Sequence, residues 1–298
     1  METTPKQAMA MEPKHQRATV RQIALLVPLL IFGLAISGCE VGVAPDDVPY
    51  VERMVVYGVI TAGEPADSIR FTRTLPLNVP YDPAAAELTG VVATIEVGGN
   101  SYPLRHIGHG FYNAEGLTVA AGQRYTLRAT WKGLAVHAST TTPIPPVVDS
   151  LSLVKGDEFY DFSTEYDFSI FAIWAYVRPV QGSAYSITYN LRDTVNDIRY
   201  LSFYDYVQDI WHWSDTTQSG RVVVKTSDAF LSPEGDNVFS GSVTVTAWDQ
   251  AYYDYYRTYY YGNDDDLFGS SQRTINWNIE GDGIGLFIGQ SRKDVVWK

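Results

Sequence analysis

Hydrophobic and polar residues alternate in several short segments between residues 51 and 139. In segments 69–75, 91–97 and 124–131 the period is two, which is typical of β-strands buried on one face. Residues 52–60 are almost continuously apolar, as in a strand covered on both faces. Lys132-Gly133 predicts a two-residue hairpin turn after one of these strands. No helical period separates the segments, so the pattern predicts a β-sandwich over residues 51–139.

Strand patterns resume after a proline-rich join at residues 140–147. Its three prolines lack backbone donors and favour an extended, stiff spacer. Four strand-like runs follow, at residues 168–177, 184–191, 221–226 and 242–248. We therefore predict a second β-rich domain over residues 148–298.

One segment of this second domain has a helical period. Residues 249–262 begin with Asp249, a good N-cap residue, and end with Gly262, which favours a helix C-terminus. One helical face would carry Ala251, Tyr255, Thr258 and Tyr259. The fold class predicted from the whole chain is thus mainly β, with one helix near residues 249–262.

The first 38 residues have the composition of a secretory signal peptide. Basic residues precede an apolar run at residues 23–36, which is too short for a stable transmembrane helix. The following Ile36-Ser37-Gly38-Cys39 resembles the lipobox of bacterial lipoproteins, where the cysteine is lipidated and becomes the amino terminus. The alternative is a buried Cys39 in an uncleaved anchor helix. We expect residues 1–38 to be removed, a lipid on Cys39 to attach the protein to a membrane, and residues 39–50 to form a tether.

Charge and cysteine content narrow the possible partners. Cys39 is the only cysteine in 298 residues, so the folded part is stabilised by burial rather than by intramolecular disulfides. The formal net charge of −12 argues against nucleic acid as a partner. Glu40 follows the cysteine, where some bacteria use Asp to retain lipoproteins in the inner membrane. The absence of Asp at this position favours the outer membrane. It does not distinguish the periplasmic face of that membrane from the cell-surface face.

Short motifs along most of the chain occur in the order found in one known family. They are YGVIT at 57–61, GVVATI at 90–95, GFY at 110–112, AGQRYTL at 121–127, VDSL at 148–151, YDYY at 253–256 and NIEG at 278–281. The chain resembles a family of Gram-negative outer-membrane lipoproteins known only as a domain of unknown function and found near TonB-dependent receptors. Ala121 and Asp282 depart from its usual Pro and Gly. The resemblance implies an immunoglobulin-like amino-terminal sandwich and a cell-envelope location, but no activity.

Several short motifs resemble catalytic or metal-binding sites but lack the residues or the context that such sites need. Residues 106–109 spell HIGH, a signature of class I aminoacyl-tRNA synthetases, but they lie in a predicted hairpin rather than between a strand and a helix. A zinc site on His106 and His109 lacks a third ligand, so a solvent-facing turn is the simpler interpretation. The acidic loop at residues 263–266, Asn-Asp-Asp-Asp, could hold calcium but lacks calcium-loop spacing, so a solvated loop is the simpler interpretation. With no nucleophile elbow and no marked carboxylate pair, we predict no catalytic residue, metal or cofactor.

Aromatic residues are the best candidates for binding. On a strand, Trp211 and Trp213 would share one face, where exposed rings could contact a sugar or a protein. If buried, they would belong to the core. The sequence favours a membrane-anchored, non-enzymatic binding or accessory lipoprotein that docks on an outer-membrane transporter. A glycan-binding module that uses Trp211 and Trp213 and a surface hydrolase with unrecognised carboxylates stay open as alternatives.

Overall fold

The structure, a computed structural model, describes residues 49–161, 166–180, 182–195, 197–201, 211–212, 222–226, 229–231, 238–260 and 274–297. Residues Tyr50–Lys298 form one compact unit. The described part is mainly β, which confirms the predicted fold class. No helix in it is long and apolar enough to cross a membrane.

The first half of this unit contains seven strands and a short helix. They are β1 (Met54–Thr61), β2 (Ile69–Arg73), α1 (Pro83–Ala86), β3 (Val92–Val97), β4 (Asn100–Gly108), β5 (Phe111–Ala114), β6 (Arg124–Trp131) and β7 (Leu134–Thr141). Strand β4 pairs with β3 through its first residues and with β5 through its last, so it passes between two layers. Side chains from both layers share one hydrophobic core, and the result is the predicted sandwich.

The second half contains ten strands and one longer helix. They are β8 (Val147–Asp161), β9 (Tyr166–Arg178), β10 (Ala184–Asp193), β11 (Ile198–Leu201), β12 (Trp211–His212), β13 (Val222–Lys225), β14 (Ala229–Leu231), β15 (Phe239–Trp248), α2 (Gln250–Tyr260), β16 (Glu280–Gly281) and β17 (Gly283–Trp297). Strands β8, β13 and β14 pair with β9 in a separate four-stranded sheet. A second core lies largely between β9, β10 and β15.

The last strand joins the two halves. Residues 283–290 of β17 pair in parallel with β1, and residues 290–297 pair antiparallel with β15. One sheet therefore runs in the order β11-β10-β15-β17-β1-β2-β5-β4-β3-β6-β7-β16, with β12 on β10. The domain boundary proposed at the join stays a prediction, but β17 lies beyond that boundary and completes the sheet beside β1.

Close backbone contact explains the glycines of the closing segment. At Gly285 the backbone φ is +117°, and a Cβ atom there would lie 2.0 Å from the carbonyl oxygen of Val56. Any other residue would push β17 away from β1. Asp282, just before β17, accepts a hydrogen bond from the Ala135 N–H at 3.0 Å. This contact ties the start of β17 to β7.

Several local predictions are confirmed and one is wrong. The alternate residues of β6 are buried, and Lys132-Gly133 forms its hairpin turn with positive φ at both residues. The HIGH letters lie at the β4–β5 turn, as expected, and the His109 side chain is exposed there. Strand β1 is not covered on both faces, because Tyr57 is 57% exposed. Its apolar run reflects β-branched side chains on a partly covered face rather than full burial.

Candidate functional site

A cleft opens where the end of β7 meets the start of α2. Its volume is about 530 Å³. The residues along it are mostly small or hydroxyl-bearing. They come from four places in the chain: Gly122 and Arg124; residues 139–144; Val180, Gly182 and Ser183; and Asp249 with the first turns of α2. The cleft has three charged side chains, Arg124, Asp249 and Asp254.

Asp249 is the only one of these three that is buried, at 6% exposure. It precedes α2 and caps it, because its Oδ1 accepts a hydrogen bond from the Tyr252 N–H at 2.9 Å. Its Oδ2 accepts from the Thr140 hydroxyl in β7 and from the Gly289 N–H in β17, the latter at 3.2 Å. One carboxylate thus connects β7, β17 and α2.

The pKa of Asp249 is strongly shifted by this environment. Burial raises the pKa to about 6 from an ordinary value of 3.8, because the charged form loses its hydration. The three hydrogen bonds oppose this effect by stabilising the charged form, and the neighbouring Asp254 charge adds to the rise. A carboxyl in a cleft with a strongly shifted pKa is a general sign of a functional site. Here both oxygens already accept hydrogen bonds from the protein, so the geometry favours a capping and clamping role.

The floor of the cleft also carries an unsatisfied polar atom. The Thr142 side chain is fully buried, and among the described residues its hydroxyl has no hydrogen-bond partner. Its backbone is held instead, since the Thr142 N–H donates to the Gln123 carbonyl and its carbonyl accepts from Gly122. This hydroxyl is therefore available to a bound water or a small polar group.

Helix α2 carries the second feature of this region, a row of contacting aromatic rings. Trp248 lies 4.2 Å from Tyr252, which lies 6.3 Å from Tyr255, measured between ring centroids. Tyr255 in turn contacts Tyr259 at 5.5 Å and Trp277 at 5.3 Å. We call these five side chains the aromatic row. It begins at buried Trp248 and ends at Tyr259 and Trp277, which are 45% and 37% exposed.

The helix prediction is confirmed over residues 250–260 and at the Asp249 cap, while Gly262 lies outside the described residues. Of the predicted face, Ala251 and Tyr255 pack against the core, but Tyr259 is exposed. Tyr256 is the most deeply buried residue of α2, whereas Tyr259 is exposed. Ala251, Tyr252, Tyr253 and Tyr255 pack against a cluster that includes Trp248 of β15 and Leu286 and Ile288 of β17, in agreement with the core interpretation of these tyrosines.

A comparison with protein families shows which family the chain belongs to. The family described as Domain of unknown function (DUF4249) matches residues 43–294. The chain belongs to the DUF4249 family. The match begins after Cys39, so it does not include the lipobox-like residues. No curated protein matches this DUF4249 chain.

The predicted site residues of this DUF4249 protein fall mostly outside the described residues. Cys39, Trp213 and the acidic residues 263–266 lie there. The backbone of Trp211 forms β12 with His212 and pairs with β10, but its side chain is not among those described. The shared face of Trp211 and Trp213 therefore stays a prediction. Among the described residues, no three His, Cys, Asp or Glu side chains are grouped as a metal would require.

Sequence reasoning missed the clamp at Asp249 and the ends of the aromatic row. Asp249 was expected as a cap, but its partners Thr140 and Gly289 are 109 and 40 positions away in sequence. Trp277 lies in a segment with no clear period. Only the density of tyrosines between residues 252 and 261 indicated that this region is unusual.

Proposed function

We propose that this protein is a lipid-anchored binding or accessory lipoprotein of the outer membrane, that it acts without catalysis, and that its partner is an outer-membrane transporter. The observation that carries the proposal is the aromatic row, whose exposed end offers Tyr259 and Trp277 to a partner. Tyrosine and tryptophan are enriched in protein interfaces because they provide a large, rigid contact area at low entropic cost.

The proposed attachment to a membrane rests on the sequence around Cys39. An apolar run that is too short to span a bilayer, two small residues and the only cysteine of the chain occur in succession. A lipoprotein amino terminus carries two or three acyl chains, and more than one chain is needed for stable membrane anchoring. The compact unit begins at Tyr50, which leaves a tether between the anchor and the fold.

The non-catalytic part of the proposal is supported by the role of Asp249. Asp249 is the carboxyl of the cleft whose pKa is strongly raised. As a catalytic acid or base, it would have to exchange protons with a ligand. Its two oxygens instead accept hydrogen bonds from Thr140, Gly289 and Tyr252. We therefore assign it to the stability of the junction rather than to chemistry on a substrate.

Affinity purification of the tagged lipoprotein from detergent-solubilised envelopes tests this proposal. Wild-type protein is expected to co-purify a transporter, and the double variant Tyr259→Ser with Trp277→Ser is expected to lose it. Val195→Ser serves as a control, because Val195 is also exposed but lies between β10 and β11. Equal recovery with the double variant would remove the aromatic row as the contact, and no co-purified transporter with wild type would refute the docking proposal.

Glycan binding is the second candidate, because the same rings could face a sugar. Tyr255 and Tyr259 are nearly parallel, with an interplanar angle of 19°, and the exposed aromatic residue at the end of such a stack suits a pyranose face. Labelled oligosaccharides should then bind wild type and not the double variant. Release of shortened products during the same incubation would instead favour the surface hydrolase.

A further inference from the structure

One end of the sandwich has an unusual concentration of exposed apolar side chains. Five of the sixteen large hydrophobic side chains that are exposed in the described residues lie in two short segments, 50–51 and 77–81. They are Tyr50, Val51, Leu77, Val79 and Tyr81, with exposures from 43% to 75%. We call these five side chains the apolar edge.

The first segment of the apolar edge is hydrogen-bonded to Thr74, which precedes the second segment. The Tyr50 hydroxyl donates to the Thr74 carbonyl at 2.6 Å, and the Thr74 hydroxyl donates to the Val51 carbonyl at 3.3 Å. The Thr74 N–H donates to the Arg53 carbonyl at 3.0 Å. These bonds fix residues 50–53, at the start of β1, beside Thr74 at the end of β2, and the second segment begins three residues after Thr74.

The amino-acid composition of the second segment of the apolar edge suits an apolar environment. Residues 75–81 contain no charged residue, and Pro76 and Pro80 have no backbone N–H that would need a partner away from water. The Val79 N–H donates to the Pro76 carbonyl, so the turn also satisfies a donor internally. Aliphatic residues together with tyrosine are the composition found where proteins meet the interface of a bilayer.

The position of the edge in the chain indicates which surface covers it. Only ten residues, 40–49, separate Cys39 from Tyr50. Ten residues can span at most about 35 Å, even when fully extended. A lipid on Cys39 would therefore limit the distance of Tyr50 from the bilayer surface to about 35 Å.

We propose that the apolar edge rests in the membrane interface and forms a second contact with lipid beside the acyl anchor. This inference rests on the proposed function, because the anchor brings the edge to the bilayer. The net charge of −12 makes an electrostatic contact with anionic lipid unfavourable. The edge is therefore expected to insert by burial of apolar side chains and to favour zwitterionic lipid. Its contact would fix the orientation of the whole sandwich relative to the membrane.

Site-specific fluorescence in vesicles tests this contact. Because Cys39 is the only natural cysteine and would be acylated, Leu77→Cys supplies a single free thiol in the processed lipoprotein. Ser101→Cys is the matched control: Ser101 is also exposed, and it lies near the start of β4. Both β2 and β4 run antiparallel to β5, so the start of β4 is at the opposite end of the sheet from residues 74–82.

Each variant is labelled with a nitrobenzoxadiazole group and reconstituted in phosphatidylcholine vesicles that contain spin-labelled lipid. The label at residue 77 is expected to shift to shorter wavelength and to lose at least half of its emission by quenching, whereas the label at residue 101 does neither. Equal quenching at both positions overturns the proposal. A wavelength shift at residue 77 without lipid quenching also overturns it, because a protein or a second copy then covers the edge.

The mass of the amino-terminal peptide separates this inference from the proposed anchor. An acylated protein without quenching at residue 77 refutes the lipid contact and leaves the anchor standing. If Cys39 is unmodified, the anchor is refuted, and the labels are measured in the Cys39→Ala background on vesicle-bound protein. Quenching at residue 77 alone then supports the lipid contact, and its absence overturns it. Unchanged melting temperatures of the labelled variants show that the fold is intact.

Discussion

Asp249→Asn is expected to change how the stability of the protein depends on pH. The pKa of Asp249 is about 6 in the folded protein and 3.8 without the environment of the fold. Between these values the folded protein keeps a proton that the unfolded chain releases. The stability contributed by this carboxyl is therefore fully present below pH 3.8 and is lost as pH rises through 6.

The size of the effect follows from the two pKa values. They differ by roughly two units, and each unit corresponds to about 1.4 kcal/mol, so the ionised carboxyl costs about 3 kcal/mol above pH 6. Between pH 4 and pH 7 about 2 kcal/mol of this loss takes place. Asparagine has no charge to desolvate, so the variant escapes this part of the loss.

Urea unfolding of both proteins at pH 4 and pH 7 measures the effect. The free energy of unfolding of the variant, relative to wild type, should increase by about 2 kcal/mol from pH 4 to pH 7. Asparagine also disturbs the acceptor used by the Gly289 N–H, but this disturbance is present at both pH values and cancels in the comparison. The same difference at pH 4 and pH 7 would refute a raised pKa for Asp249.

Three further predictions concern the clamp, the closing strand and the anchor. Thr140→Val removes a hydrogen-bond donor to Asp249 and should lower the free energy of unfolding by about 1–3 kcal/mol. The loss should be larger at pH 7 than at pH 4. Thr140→Ser keeps the donor and should retain most of the stability. Gly285→Ala should lower the melting temperature strongly or prevent folding, because its Cβ would meet the Val56 carbonyl, whereas Gly90→Ala has open space and should melt like wild type. Cys39→Ala should leave unprocessed precursor without acyl labelling; an unmodified Cys39 within an intact mature chain would contradict the anchor.

The sequence predicted strands well where one face of the strand is buried. In β6 every second side chain lies in the core, so the alternation of Tyr125, Leu127, Ala129 and Trp131 reports burial directly. Strand-like runs also predicted β9, β10, β13 and β15, although the first six residues of β10 are buried on both faces. The short strands β11 and β14 have too few residues to show a period, and they were missed.

The pairing of β17 with β1 could not be predicted from local pattern. Gly283 to Ile288 mixes glycine with apolar residues and has no clean alternation. Its glycines are explained by the approach of another backbone, which is a tertiary contact. The same limit applies to the cleft, since Asp249 is recognisable as a cap from its neighbours while its burial depends on β7 and β17.

The arrangement of β17 has a consequence for how the chain folds during synthesis. Thr61 and Gln290 are in contact although 229 positions separate them, and the parallel pairing of β1 with residues 283–290 forms only after nearly the whole chain has been delivered. Until then the first sandwich has an open edge at β1, which is a site for wrong pairing with other chains. Closing so large a loop also makes folding slow relative to local hairpins. A ribosomal product that stops before residue 283 lacks this strand altogether, so its β1 edge stays unpaired on that side.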